Sequence, residues 1–228
     1  MSRGLSRAEV QSIALDFVES LNYKVPLDFR IRDTWKQLYG ADGLCGGAFH
    51  SAESKSDRGF VTIAANNHKS KEAVQRTLQH EILGHYLINT YSPLAKREVI
   101  GRIMASQNEP SLEEQWRKVR FAYPDKPLSI QAEELFASIA ERVDINKSPN
   151  ISADPLLENS TALTLQSIET SIQYRANTLK DGNLTQQTFP DTDVHSGPFI
   201  GANLERRVTE WRSNNPTDHQ SKTPSPKI

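Results

Sequence analysis

Apolar residues recur along this chain with two different periods, and the changes from one to the other mark its elements. Val10, Ile13, Ala14, Phe17, Val18 and Leu21 fall at the three- and four-residue intervals of a helix face, and Ser6 followed by Glu9 supplies a capping box ahead of them. A first helix ending near Asn22 is predicted. In residues 24–32 the period drops to two, with Val25, Leu27, Phe29 and Ile31 alternating against polar neighbours, as in a half-buried strand. Pro26 sets that strand at a sheet edge or makes its start irregular. Residues 33–38 fit one helical turn closed by Gly40, and residues 44–51 and 60–65 read as an antiparallel pair of strands.

From Ser70, a good N-cap, the helical period returns through Val74, Leu78 and Ile82. Residues 94–105 and 112–121 read as two further helices, with Pro93 and Pro110 near their starts, and Ser129 opens another over 130–143. Beyond Asp144 the pattern weakens. Residues 148–159 carry the Ser, Asn, Asp and Pro of a linker, 163–179 and 204–211 fit helices, and 214–228 hold three prolines and no aromatic residue. The expected organisation is a domain over 1–146, a linker and helical extension over 147–213, and a disordered tail over 214–228.

Composition narrows the possibilities. A net charge of -1 gives no reason to expect nucleic acid as a partner. Lys96, Arg97, Arg102, Arg117, Lys118 and Arg120 are interleaved with Glu98, Glu113 and Glu114, as on solvated helix faces. The single cysteine, Cys45, excludes an internal disulfide and a Cys-rich metal cluster, and reads as a small buried residue. No stretch has the apolar length of a membrane span and no secretion signal opens the chain, so a cytoplasmic location is expected. The oligomeric state leaves no mark in the sequence.

The chemistry is concentrated in His80-Glu81-Ile82-Leu83-Gly84-His85. Two imidazoles with a carboxylate beside the first are the parts of a catalytic zinc site, in which the carboxylate takes a proton from a metal-bound water. His80 and His85 are ligand candidates and Glu81 the base candidate. The histidines are five apart, about 140° around a regular α-helix, whereas a spacing of four leaves about 40°. One ion reaches both only if the helix widens by one residue, a π-bulge, for which Gly84 is a tolerant place. In an undistorted helix, Glu81 and His85 instead form an ordinary i, i+4 pair and His80 points elsewhere. Glu133 and Glu134, on the helix after Ser129, are candidates for a third ligand. With Leu135, Ile139 and Val143 as the buried stripe, Glu133 lies nearer that stripe than Glu134.

The block TLQHEILGHYLI over 77–88 resembles the active helix of gluzincin-type zincin metallopeptidases, in the longer H-E-x-x-G-H form of dipeptidyl peptidase III. It is also similar to zincin-like domains of phage and conjugative-element polyvalent proteins. Glu134-Leu135-Phe136-Ala137 is similar to the gluzincin third-ligand helix, which carries the metal role to Glu134. The family's acidic residue four positions further on is replaced by Ser138, so support for a metal-bound histidine falls to Glu133 or Glu141.

The resemblance implies an α+β zincin-like fold, a short antiparallel sheet packed on helices, with Zn2+ as cofactor. It implies a zinc metallopeptidase acting on a protein or peptide substrate. A second reading is an inactive zincin-fold module that binds a protein or DNA partner in a phage or plasmid system. Tyr86, Tyr91, Tyr123, His68 and Arg142 are candidates to stabilise an oxyanion, while His195 and His219 read as bystanders.

Overall fold

The structure is a computed structural model that describes residues 4–158 and 163–189. Among these, seven α-helices, one π-helix and three strands form an α+β arrangement. The expected helix over 204–211, the tail over 214–228, and His195 and His219 lie outside the described residues.

Helix α1, Arg7–Ser20, starts where the sequence places its cap. The Glu9 N–H donates to Ser6 Oγ, and the Ser6 N–H donates back to the Glu9 carboxylate. Its buried face, Val10, Ile13, Ala14 and Phe17, packs towards α3, Lys71–Leu78, which Ser70 caps. Strand β1 is Leu27–Arg32, and the short helix α2, Trp35–Tyr39, ends at Gly40 with φ 77°, a left-handed conformation that glycine adopts without strain. Strands β2, Gly47–His50, and β3, Gly59–Ala64, are antiparallel as expected.

The sheet as a whole is not antiparallel. Its order is β1-β3-β2, and β1 runs parallel to β3, with Leu27 opposite Gly59 and Arg32 opposite Ala64. Apolar alternation specifies which face of a strand is buried and says nothing about its direction relative to a non-consecutive neighbour.

Helix α3 runs directly into the π-helix, Gln79–Tyr86. Helices α4, Pro93–Ala105, α5, Glu113–Ala122, and α6, Leu128–Ala140, come next, with α6 lying along the π-helix. Helix α6 is buried on most sides, its polar Gln131 and Glu134 included. Helix α7, Leu165–Lys180, packs Ile168, Ile172, Ala176 and Leu179 into the same core as Val61, Leu78, Leu83 and Phe136. Full burial of each such side chain contributes about 1.5–3 kcal/mol relative to leaving it in water. No helix of the described residues is long and apolar enough to cross a membrane.

Candidate metal centre

The centre is built where the π-helix meets α6. Gly84 makes that approach possible: a Cβ added there would lie 2.6 Å from both Cα and Cβ of Ala137. Hydrogen bonds from i to i+5 widen the helical turn by one residue, which brings residues five apart onto one side. His80 and His85 therefore face each other, with ring centroids 4.9 Å apart and planes inclined by 72°. The widening extends over the whole of Gln79–Tyr86, more than the single bulge the spacing requires.

Glu134 completes the group from α6. One ligand atom each from His80, His85 and Glu134 lies within 4.8 Å of the other two. His80 Nε2 is 3.5 Å from Glu134 Oε2, and His85 Nε2 is 3.7 Å from Glu134 Oε1. Glu133 takes a different place. His85 Nδ1 donates to Glu133 Oε1 at 3.3 Å, and His80 Nδ1 donates to Glu141 Oε1 at 2.9 Å. An ionised carboxylate only accepts, so each Nδ1 carries a proton, and toward an ion in the shared space each Nε2 would offer its lone pair. The stripe of Leu135, Ile139 and Val143 is a poor guide to these two glutamates because α6 is surrounded by protein on most sides. Ser138 turns back on its own helix and bonds the Leu135 carbonyl.

Lys96 belongs to the same cluster. Its expected place was a solvated helix face, yet it is buried, with Nζ 3.3 Å from Glu133 Oε2 and 3.0 Å from Asn89 Oδ1. Asn89 in turn donates to the His85 carbonyl at 2.7 Å. The signal is present in the sequence, because Lys96, Val99, Ile100 and Ile103 share one helical stripe. Burial pushes the Glu133 carboxyl up, but the Lys96 ammonium and the hydrogen bond from His85 outweigh it and hold its pKa at about 2.

Glu134 balances the same forces. Burial raises its pKa, and the close approach of His80 together with the charges of His85 and His80 lowers it below the usual carboxylate value. Its Oε2 is buried and accepts no hydrogen bond from the described residues. A buried carboxylate oxygen left open toward two imidazole nitrogens fits a divalent cation, and two nitrogens with one carboxylate oxygen are the donor set of a catalytic zinc. His80, His85 and Glu134 are thus the residues that would hold an ion.

Glu81 is buried beside them, and its pKa is raised, chiefly by burial and against the charges of His80 and His85. His80 and Glu81 line a cleft of about 330 Å³ with Gly46, Gly47, Thr77 and Glu141. When bound, zinc polarises an oxygen ligand and brings the pKa of a coordinated water towards about 7.

Of the five candidates for oxyanion stabilisation, the structure brings one to the centre. The Tyr123 phenol is pushed far up by burial and then by the adjacent Glu134 carboxylate. Tyr91 is bonded to Asp154, and His68 is held between the Ala64 carbonyl and Thr77 Oγ1. Tyr86 packs edge-on against Phe49, and Arg142 is exposed. Cys45, expected to be buried, is exposed and donates to the Gly47 carbonyl.

No family model and no solved structure matches the chain. It is similar to DNA primase TraC of Escherichia coli, 26% identical over 205 residues, covering 82% of this chain and 14% of that protein. The chain therefore spans about a seventh of its curated relative.

This similarity overturns the gluzincin identification and the expectation of a zinc metallopeptidase hydrolysing a protein or peptide. It equally runs against the expectation drawn from net charge that nucleic acid is not the partner, because the relative is named for DNA priming. Two short motifs carry the peptidase reading, whereas the similarity runs through most of the chain. A constellation of two histidines and glutamates specifies a metal and its surroundings, and the bond acted on is set elsewhere.

Proposed function

We propose that this chain is a metal-centred module of a DNA-processing protein of the primase type, and that it holds one zinc ion through His80, His85 and Glu134. The observation that carries the metal reading is the convergence of three ligand atoms within 4.8 Å, with each histidine held at its other nitrogen by a separate carboxylate. The similarity to DNA primase TraC supports nucleic acid as the partner. In this reading Glu141 and Glu133 orient the histidines, Lys96 keeps Glu133 ionised, and Glu81 exchanges a proton at the ion.

Elemental analysis of the purified full chain tests the reading. About one equivalent of zinc per chain is expected, with chelation lowering the thermal midpoint, since an ion that binds only the folded state stabilises it. His80→Ala and Glu134→Gln should each abolish zinc retention, and cobalt substitution should give the absorption of a four-coordinate site in the wild type alone. Metal-free protein whose midpoint ignores both chelator and added zinc overturns it.

A further inference from the structure

The face of the sheet turned away from the π-helix carries a run of stacked planar groups. Phe60 and His50 are cross-strand partners, and their rings stack with centroids 4.3 Å apart and planes 13° apart. The Tyr39 ring continues the run at 6.0 Å from His50, and its hydroxyl bonds His50 Nε2 and Thr62 Oγ1, each at 2.6 Å. At the other end the Arg30 guanidinium lies 3.4 Å from the centre of the Phe60 ring. Arg30 is exposed, so one face of its plane rests on Phe60 and the other meets solvent.

Two more arginines flank Arg30 along β1, one toward each end of the strand. Arg32 shares the Arg30 face of β1, and Arg58 stands at the head of β3, both exposed. Asp28 lies 3.5 Å from Arg58. Arg30, Arg32 and Arg58 bring three guanidinium groups to this side of the sheet on a chain whose net charge is -1. The ring beneath stays uncharged at neutral pH, because burial and then the Arg30 charge lower the His50 pKa to about 4.

We propose that this face docks single-stranded nucleic acid, with a base stacked on the open side of the Arg30 guanidinium and phosphates paired with Arg32 and Arg58. A planar cation backed by rings recognises the π-face of any base, and flanking arginines track the backbone. Duplex DNA has no unstacked base to offer. The inference rests on the proposed function for its choice of a nucleic acid, but the surface and the metal centre lie on opposite faces of the sheet.

Fluorescence anisotropy of a labelled oligothymidylate about a dozen nucleotides long, titrated with the full chain, tests it. Arg30→Ala should weaken binding by at least about fivefold, the loss expected for one stacked base. Arg30→Lys, which keeps the charge and loses the plane, should recover only part of that loss. Arg32→Ala with Arg58→Ala should flatten the dependence of log K on log salt by about 0.7 per phosphate contact removed. Arg117→Ala, the same charge lost from α5, should leave binding unchanged. His80→Ala should lose zinc and keep the oligonucleotide, which separates failure here from failure of the metal reading. Oligonucleotide binding that ignores Arg30, that falls equally in Arg117→Ala, or that is tighter for a duplex of the same length overturns the proposal.

Discussion

Among the described residues, the polar clusters around Asp154 and Glu134 have carboxylates that are equally hidden: Asp154 is 4% exposed and Glu134 is 3% exposed. Around Asp154 both oxygens are saturated. Oδ1 accepts from Ser171 Oγ at 2.6 Å and from the Leu156 N–H at 3.0 Å. Oδ2 accepts from the Tyr91 hydroxyl at 2.7 Å and from Arg175 at 3.2 Å. Arg175 also bonds Thr90 and lies 3.6 Å over the Tyr91 ring, so the cluster fastens α7 to the segment after the π-helix. Around Glu134 the donors are arranged differently. The histidines direct their Nδ1 atoms outward to Glu133 and Glu141 and turn their Nε2 atoms toward a carboxylate oxygen that accepts no hydrogen bond from the described residues. Equal burial with opposite saturation separates a structural fastening from a binding site: where every lone pair is used, nothing more is accommodated, and where lone pairs converge, a cation is called for.

The sharpest way to break this contrast is to remove one partner from each cluster. Arg175→Met leaves Asp154 without its counter-charge and should destabilise the fold by about 3–5 kcal/mol, read from denaturant unfolding, with zinc stoichiometry unchanged in the folded fraction. Loss of zinc in that variant would merge the two clusters into one system.

Smaller effects are expected from the groups behind the histidines. Glu141→Gln, and separately Lys96→Met, should weaken zinc about 10–100-fold without changing its stoichiometry, as measured by competition with a chromophoric chelator. An unchanged affinity in both variants would reduce these groups to packing.

The smallest effect is one of pH. In chelated protein, burial pulls the His80 pKa down, and the carboxylates of Glu134, 3.5 Å from Nε2, and of Glu141, bonded to Nδ1, lift it well above the usual 6.5, so a second proton takes the place of the ion at Nε2. A raised folded-state pKa adds stability that is complete below the unfolded value and is lost as pH rises through the folded one. The thermal midpoint of chelated protein should therefore decline on the alkaline side of 6.5. Glu141→Gln should make that decline shallower, and a profile identical to the wild type would remove His80 as its source.

Much of this architecture is legible in the sequence, and the failures have separate causes. Caps at Ser6, Ser70 and Gly40 are readable from local chemistry and stand in the structure, because a cap depends on residues within one turn. The direction of β1 against β3 is not readable, since parallel pairing depends on how the chain returns past β2. Lys96 misleads when its charge is weighed above its position in an apolar stripe. The stack of Arg30, Phe60, His50 and Tyr39 leaves no sequence signal, being assembled from α2 and three strands. The widened helix is legible as a requirement of the spacing, although its length is not. Function is over-read from the hexapeptide, which suggests a reaction and a substrate when its residues supply only candidate ligand atoms.

The π-helix also bears on how such sites are found. A turn that runs from i to i+5 absorbs one residue without rotating the next stretch of helix, so Leu87, Ile88 and Tyr91 remain buried beyond it, as Val74 and Leu78 are before it. A chain one residue shorter between the histidines could carry the same pair four apart on an ordinary α-helix, in register with the same core. Distance counted along the sequence and distance along the helix axis part company at this point, and a pattern search with fixed spacing passes over the site.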